Sequence, residues 1–218
     1  MKPLLLSLCV SIVLAQQPQP PNPAFEPVQD TAGLPRVLLI GDSISIGYTL
    51  PVREVLRGKA NVHRIPANGA TTRFTLESIE PWLGSSKWDV IHVNWGLHDL
   101  KIMEGGKHQV PIEEYASNLQ KLVDRLKQTG AKVIFATTTP VPQGKLNPLR
   151  HPADVPLYNA AALRVMKRNR IAVDDLYAAV LPKLKDVQLP ENVHFTPEGS
   201  RFLAAHVVSA INPALSKK

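Results

Sequence analysis

The sequence predicts an α/β fold: a three-layer α/β/α sandwich of the flavodoxin-like type, around a central parallel sheet of about five strands. Two observations support this class. From residue 36 onward, short apolar runs alternate with segments that carry a helical stripe. The first run, Val37–Ile40, is uncharged and rich in branched residues, as expected of a parallel strand buried on both faces.

The elements are predicted in order from these patterns. The clearest helix is Ile112–Lys127, where apolar residues recur every three or four positions until Gly130 marks the end. Pro197 suits the first turn of the last helix, with Thr196 as its N-cap. The predicted strands are Val37–Ile40, Val62–Ile65, Trp88–Val93, Lys132–Thr137 and Ile171–Val173. The predicted helices include Val52–Leu56 and lie around Leu76–Leu83 and at Ile112–Lys127, Asp154–Lys167 and Pro197–Ile211.

Three segments are predicted along the chain. Residues 1–15 have the features of a secretory signal, with Lys2 followed by an apolar stretch too short to span a membrane. Residues 16–35 form a Pro-rich linker, and residues 36–214 form the folded domain. The single cysteine, Cys9, follows Leu8 rather than the small residue that lipid attachment requires. We therefore expect a secreted or periplasmic protein without a stable membrane anchor.

Composition excludes some partners. The formal net charge is +7, with 44% hydrophobic residues, which is typical of a globular protein. The sequence has no arginine-rich run or aromatic ladder that would indicate nucleic acid binding. The positive charge fits either an acidic polysaccharide or envelope surface, or a solvated surface with no specific partner.

Polar loops follow several of the predicted strands. Right-handed crossovers place the strand-to-helix loops on one edge of the sheet, where open α/β sheets bind their ligands. Ser43 lies just past the first strand, so its hydroxyl is either a nucleophile or a helix cap. The loops expected to converge are Gly41–Ser45, Asn68–Arg73, Gly96–Lys101 and Glu191–Thr196, with Thr138–Pro156 beside them.

A base and an orienting acid occur near the C-terminus. His194 lies in a loop before the last helix, and Glu191 lies three residues earlier. A turn can bring both side chains to one side, so that Glu191 holds the imidazole while its other nitrogen faces Ser43. The sequence therefore predicts Ser43, His194 and Glu191 as catalytic residues. His92 and His98 lie six residues apart with no third ligand implied, so no metal site is predicted.

These residues are arranged in four ordered blocks, and the chain from about Arg36 to Ile211 resembles the SGNH (GDSL-type) hydrolases. The resemblance implies that the backbone N–H groups of Ser43 and Gly69, with the side chain of His98, form the oxyanion hole. His98 stands where the family has asparagine, and Glu191 stands where it has aspartate. The blocks are Gly41-Asp42-Ser43-Ile44, Gly69, Gly96-Leu97-His98-Asp99 and Glu191-Asn192-Val193-His194.

Several further residues have open roles. Asn94 can replace His98 as the oxyanion donor, and Asp99 either sets the tautomer of His98 or caps a helix. The possible substrate-binding residues are Asn94, Trp95 and Arg73. Trp95 is otherwise a packing residue, and Arg73 is otherwise an exposed arginine.

The sequence thus predicts a secreted serine esterase. The resemblance implies short-chain acyl esters, and export favours acetyl groups on carbohydrate, cleaved through an acyl-enzyme. The expected partner is a small-molecule or glycan ester, and the chemistry requires no cofactor. One alternative is a lysophospholipase- or thioesterase-type lipid hydrolase, which would require an apolar groove, whereas the loops at 66–73 and 139–156 are polar. The other is a non-catalytic glycan-binding protein on the same fold, against which the presence of Ser43 and His194 argues.

Overall fold

The computed structural model describes residues 22–215. Within that range, five parallel strands form one sheet in the order β2-β1-β3-β4-β5. This order confirms the predicted flavodoxin-like class, in which ligands bind where the strand order reverses. Here the reversal falls between β1 and β3. The strands are β1 Arg36–Ile40, β2 Asn61–Arg64, β3 Val90–Asn94, β4 Lys132–Ala136 and β5 Ala172–Asp174.

The register of the sheet aligns the strand ends that precede the polar loops. Leu39 of β1 pairs with Arg64 of β2 and with His92 of β3, and Val93 pairs with Phe135 of β4. Val37, Leu39, Ile40, Val90 and Val93 are fully buried, because helices cover both faces of the sheet. The carboxyl ends of β1 and β3 therefore lie side by side.

The helices form the two outer layers. On one face α1 packs against α7, which also lies against β3, β4 and β5. On the other face α2, α3 and α4 pack side by side. The helices of the described residues are α1 Ser43–Val55, α2 Thr72–Leu83, α3 Ile112–Lys127, α4 Asp154–Asn169, α5 Leu176–Val180, α6 Leu184–Val187 and α7 Pro197–Leu215, with 3₁₀ turns at Pro23–Phe25 and Leu181–Lys183.

The first helix differs most from the sequence-based expectation. It begins at Ser43, nine residues before the predicted Val52–Leu56 segment, and it continues through Pro51. Burial explains the difference, because Tyr48 and Val52 are fully buried and α1 packs along α7. Tertiary packing here outweighs the low helix propensity of proline. The short helices α5 and α6 were not predicted, since so few residues cannot show a helical period.

Residues 22–35 are bound to the domain, although composition assigns them to the linker. Arg53 donates hydrogen bonds to the carbonyl oxygens of Pro23 and Glu26 at 3.3 and 3.2 Å. The side chain of Asn61 accepts from Thr31 N at 2.9 Å and donates to Thr31 O at 3.0 Å. This part of the predicted linker therefore belongs to the folded unit. The predicted signal and residues 16–21 lie outside the described residues.

No helix within residues 22–215 is both long enough and apolar enough to cross a membrane.

Candidate active site

Ser43 lies at the tight junction between β1 and α1. Asp42 is the N-cap of α1, and its Oδ1 accepts a hydrogen bond from Ile44 N at 2.9 Å. Ser43 is therefore the first residue of the helix, and its own N–H has no acceptor in the described part of the chain. A free N–H at a helix N-terminus favours negative charge. Burial raises the pKa of Asp42 to about 6, although the Ile44 hydrogen bond opposes this rise.

Arg64, at the end of β2, stabilises the same junction through hydrogen bonds. Its Nη2 donates to the carbonyl oxygens of Gly41 and Asp42 at 3.0 and 3.1 Å, and to Ser45 Oγ at 2.9 Å. The guanidinium is buried and lies 5.3 Å from the ring centre of Phe25. Burial lowers the pKa of Arg64 to about 10. Arg64 therefore positions the turn that carries Ser43, a role that no sequence pattern identified.

His194 is placed as a general base toward Ser43. Its Nε2 lies 2.9 Å from Ser43 Oγ, and its Nδ1 lies 2.7 Å from Asn192 Oδ1. The same Asn192 Oδ1 accepts the backbone N–H of His194 at 3.0 Å, so the atom facing the ring must be oxygen rather than the amide nitrogen. Nδ1 therefore carries the proton. Nε2 is left with a lone pair that can accept the Ser43 hydroxyl hydrogen.

Asn192 takes the position that the sequence assigned to Glu191. Glu191 forms no hydrogen bond or ion pair within residues 22–215, and it is exposed beside Gly144. Its backbone has a φ of 49°, in the left-handed region. The turn therefore points the Asn192 side chain, two residues before His194, at the imidazole. Burial and, secondly, the Arg150 cation lower the pKa of His194, which favours the neutral base.

His98 has the opposite tautomer. Lys101 Nζ lies 3.0 Å from His98 Nδ1, and an ammonium can only donate, so Nδ1 accepts and Nε2 carries the hydrogen. Burial, followed by the Lys101 and Arg150 cations, lowers the pKa of His98 to about 3. His98 is therefore a neutral hydrogen-bond donor and not a second base. Lys101, three residues later, sets the tautomer.

Asp99 acts on the neighbouring helix rather than on His98. Its Oδ1 accepts hydrogen bonds from Thr72 N at 2.9 Å and from Thr72 Oγ1 at 2.5 Å. Thr72 is the first residue of α2, so Asp99 satisfies a free N–H there, as a helix cap does. Asp99 is fully buried, and burial raises its pKa to about 6. Of the two alternatives, the structure shows the cap.

The backbone N–H of Gly69 is already used. It donates to Gly41 O at 2.9 Å, and a side chain at Gly69 would approach that oxygen to 2.8 Å. Close packing on the Ser43 turn therefore explains this glycine. Its neighbour Asn68 lines the cavity instead. Asn68 Oδ1 accepts from Ala70 N at 2.9 Å, which leaves its Nδ2 without an acceptor among the described residues.

The three possible substrate-binding residues lie outside the cavity. Trp95 is fully buried and donates its indole N–H to Thr75 Oγ1 at 3.0 Å, so it is a packing residue. Asn94 is buried beneath Gly41. Arg73 forms a surface ion pair with Glu114 and donates to Gln109 O at 2.9 Å. None of the three lines the cavity at Ser43.

A cavity of about 340 Å³ opens at the carboxyl ends of β1 and β3, and all four polar loops contribute to it. Leu146, Pro148 and Val193 supply its apolar side chains, and the remaining lining residues are polar or charged. They are Ser43, Asn68, His98, Lys101, Asn147, Arg150, Glu191, Asn192 and His194. Within residues 22–215, no group of three or more His, Cys, Asp or Glu side chains could hold a metal ion.

A serine hydroxyl in contact with a neutral histidine, beside free N–H donors at the ligand-binding edge of a parallel sheet, defines a serine hydrolase of the α/β/α class. Residues 39–202, more than half of the chain, match the GDSL-like Lipase/Acylhydrolase family. The chain therefore belongs to this family, as its resemblance to the SGNH hydrolases predicted, and it is an ester-hydrolysing enzyme.

Relatives and solved structures agree with this assignment. The isoamyl acetate-hydrolyzing esterase 1 homolog of Homo sapiens is 30% identical over 210 residues, covering 84% of this chain and 83% of the relative. The lipase/acylhydrolase from Enterococcus faecalis superposes with a TM-score of 0.74 at 22% identity, covering 85% and 99% of the two chains. Axe2, an acetylxylan esterase from Geobacillus stearothermophilus, superposes with a TM-score of 0.66 at 19% identity, covering 84% of this chain and 97% of Axe2. At these identities the two superpositions establish the fold alone.

Proposed function

We propose that this enzyme hydrolyses short-chain acyl esters, acetyl esters foremost, carried on carbohydrate. The observation that carries the proposal is the cavity beside Ser43. At about 340 Å³ it is at the small end of ligand sites, and most of its lining is polar. A long acyl chain requires an extended apolar wall, which three apolar side chains do not supply. The names of two similar proteins, one an isoamyl acetate-hydrolyzing esterase homolog and one an acetylxylan esterase, also favour acetate.

The proposed reaction uses the two histidines in different roles. His194 Nε2 takes the Ser43 hydroxyl proton as Oγ bonds to the ester carbonyl carbon. The carbonyl oxygen becomes an oxyanion that accepts hydrogen bonds from Ser43 N–H and His98 Nε2–H, with Asn68 Nδ2 in place of the predicted Gly69 N–H. The bond to the alcohol breaks as His194 returns the proton to it. Water then attacks the acyl-enzyme by the same route and releases the acid.

Chain length tests the proposal. We expect the kcat/KM for p-nitrophenyl acetate to exceed that for p-nitrophenyl octanoate by about 10-fold or more, because one methylene alone changes binding by roughly 10-fold or more in a fitted pocket. Release of acetate from acetylated xylan, compared with release of fatty acid from a lysophospholipid, tests whether the enzyme acts on carbohydrate esters or on lipid esters. A preference for octanoate would instead support the lipid-hydrolase alternative.

Ser43→Ala is the control for every one of these assays. Removing the nucleophile should lower kcat by several orders of magnitude. A Ser43→Ala variant with near wild-type turnover would overturn the catalytic assignment. Circular dichroism of the variant checks that the fold is retained.

Export is the second part of the proposal. The apolar stretch after Lys2 supports a signal cleaved after Ala15. Expression in a bacterial host, followed by fractionation and mass spectrometry, should give a periplasmic or secreted protein that begins at Gln16. Recovery in the cytoplasm with residues 1–15 still attached would contradict this proposal without affecting the esterase.

A further inference from the structure

Two cations line the catalytic cavity without an acidic partner. Lys101 and Arg150 both contribute to its wall, together with Ser43 and His194. Neither of them forms an ion pair with any carboxylate in residues 22–215. Arg150 is buried and Lys101 is half-buried. Buried charged groups ordinarily have an ion-pair partner, so two cations without one beside a nucleophile require an explanation.

Arg150 is built into the site rather than lying on the surface. It is only 5% exposed. Its Nε donates to Leu97 O at 2.8 Å, and its Nη1 donates to Pro148 O at 3.1 Å. These two carbonyl oxygens hold the plane of the guanidinium. Nη2 has no hydrogen-bond acceptor among the described residues, so its N–H groups are available to a ligand in the cavity.

Lys101 adds a second positive charge to the same wall. Its Nζ lies 3.0 Å from His98 Nδ1, which uses one of its three hydrogens. Burial and, secondly, the nearby Arg150 lower the pKa of Lys101. Arg150 also lowers the pKa of both His98 and His194, although burial is the larger cause in each. The cavity therefore has a positive field that reaches its catalytic groups.

The acidic groups close to these cations do not neutralise the cavity. Against the larger effect of burial, Asp42 raises the pKa of both Lys101 and Arg150 at longer range, and Asp99 raises that of Lys101. Both carboxylates are buried and already hydrogen-bonded to a helix N-terminus, Asp42 at α1 and Asp99 at α2. Glu191 is the acidic residue of the cavity lining. It is exposed, and it pairs with neither Lys101 nor Arg150 within the described range. A ligand can therefore supply the missing negative charge.

We infer that the enzyme's ester substrates carry a carboxylate on the alcohol side of the scissile ester, which the Arg150 guanidinium and the Lys101 ammonium bind. The substrate class is then an O-acylated sugar acid rather than a neutral sugar. The charge belongs to the alcohol because the proposed acetyl group has none. A carboxylate matches the free Nη2 group of Arg150 and one ammonium, whereas the second negative charge of a dianionic phosphate would be repelled by Glu191. This inference rests on the proposed ester hydrolysis.

The test compares matched esters that differ in charge. The probes are para-acetoxybenzoate, its neutral amide para-acetoxybenzamide, and para-acetoxyphenyl phosphate, each rate being divided by the rate of alkaline hydrolysis of the same ester. We expect the wild type to prefer the carboxylate over the amide by about 10- to 100-fold in kcat/KM, mainly through KM, as for hydrogen bonds to charged groups. Added salt should reduce this preference.

Variants locate the effect. Arg150→Gln should abolish the preference for the carboxylate, measured above the pH at which His194 titrates, and Arg150→Lys should keep part of it. Arg125→Gln is the matched control, because it removes a half-exposed arginine that pairs with Glu80 far from the cavity. The preference of this variant for the carboxylate should equal that of the wild type. Circular dichroism of the Arg150 variants checks that they fold.

Three results would overturn the inference. The first is equal normalised kcat/KM for the carboxylate and the amide in the wild type. The second is a preference that persists in Arg150→Gln, and the third is a larger preference for the phosphate than for the carboxylate. Each of these leaves ester hydrolysis intact. Failure of the proposed function itself would appear differently, as wild-type activity no greater than that of Ser43→Ala on all three esters.

Discussion

Replacing Asn192 with alanine tests which residue orients the catalytic base. Asn192 Oδ1 accepts two hydrogen bonds from His194, one from Nδ1 at 2.7 Å and one from the backbone N–H at 3.0 Å. Each is worth about 0.5–1.5 kcal/mol, so losing both costs about 1–3 kcal/mol. If that loss falls on the transition state, kcat/KM decreases by about 5- to 150-fold. The freed Nδ1 also permits the tautomer that cannot accept the Ser43 proton.

Two companion variants make this prediction specific. Asn192→Asp keeps both acceptor contacts and adds a negative charge beside the imidazolium that forms during the reaction. We expect it to retain or exceed wild-type kcat and to raise the pKa of His194, which moves the acid limb of the pH profile upward. Glu191→Gln should remain within about threefold of the wild type, because Glu191 has no hydrogen bond to His194 among residues 22–215 and loss of a surface charge has a small effect.

The assay is the hydrolysis of p-nitrophenyl acetate over a range of pH, combined with nitrogen NMR of the His194 ring. The NMR spectrum reports the tautomer directly, so a merely misfolded loop is distinguished from a reoriented base. The opposite result would be an Asn192→Ala variant with wild-type kcat/KM and a Glu191→Gln variant whose kcat/KM falls by about 100-fold or more, as on removal of a catalytic group. In that case Glu191 orients His194, and the argument from Asn192 is wrong.

Three further predictions concern the same site. His98→Ala should lower kcat by about 10²–10³, as for loss of one oxyanion donor, and His98→Asn should restore much of it; an asparagine variant as slow as the alanine variant would contradict the donor role. Burial and, secondly, the Arg150 cation lower the pKa of His194. Arg150→Gln should therefore raise this pKa and move the acid limb of kcat/KM for a neutral ester to higher pH, measured over about pH 5 to 8. Arg150→Lys keeps the charge and should leave the acid limb in place. Asp99 has a folded-state pKa of about 6, raised from 3.8 by burial, so its contribution to stability is present below about pH 4 and is lost as the pH rises through 6. Asp99→Asn should therefore remove at most about 3 kcal/mol of this pH dependence, measured by urea unfolding, and an unchanged pH dependence would show that Asp99 ionises freely in the folded state.

The sequence by itself determined the fold class and the two principal catalytic candidates. Five short apolar runs separated by helical stripes have few alternatives to a parallel sheet, because strands joined by helices must cross over in one hand. Strand bounds were correct to within two residues, and Ile112–Lys127 was predicted to the residue. Ser43 could be recognised because it lies in Gly-Asp-Ser at the end of a predicted strand. His194 could be recognised because it lies in the loop just before the last predicted helix.

Other assignments needed the tertiary structure, because they depend on backbone turns and on long-range contacts. Glu191 and Asn192 are adjacent in the chain, and only the turn with φ of 49° at Glu191 decides which side chain reaches His194. Gly69 was assigned as a donor, yet its N–H is taken by Gly41, a contact between residues 28 positions apart. No local pattern reports either fact.

Arg150 shows the same limit most clearly. It comes from a loop without periodicity, so its sequence neighbours say nothing about where the side chain lies. The structure brings it to Leu97 O, 53 residues away, and into the cavity of Ser43. Arg73, which the sequence left as either a substrate-binding residue or an exposed arginine, pairs with Glu114 on the surface. Local patterns determine strands, helices and caps through short-range energetics, whereas the charge within a cavity depends on which distant segments the folded chain brings together.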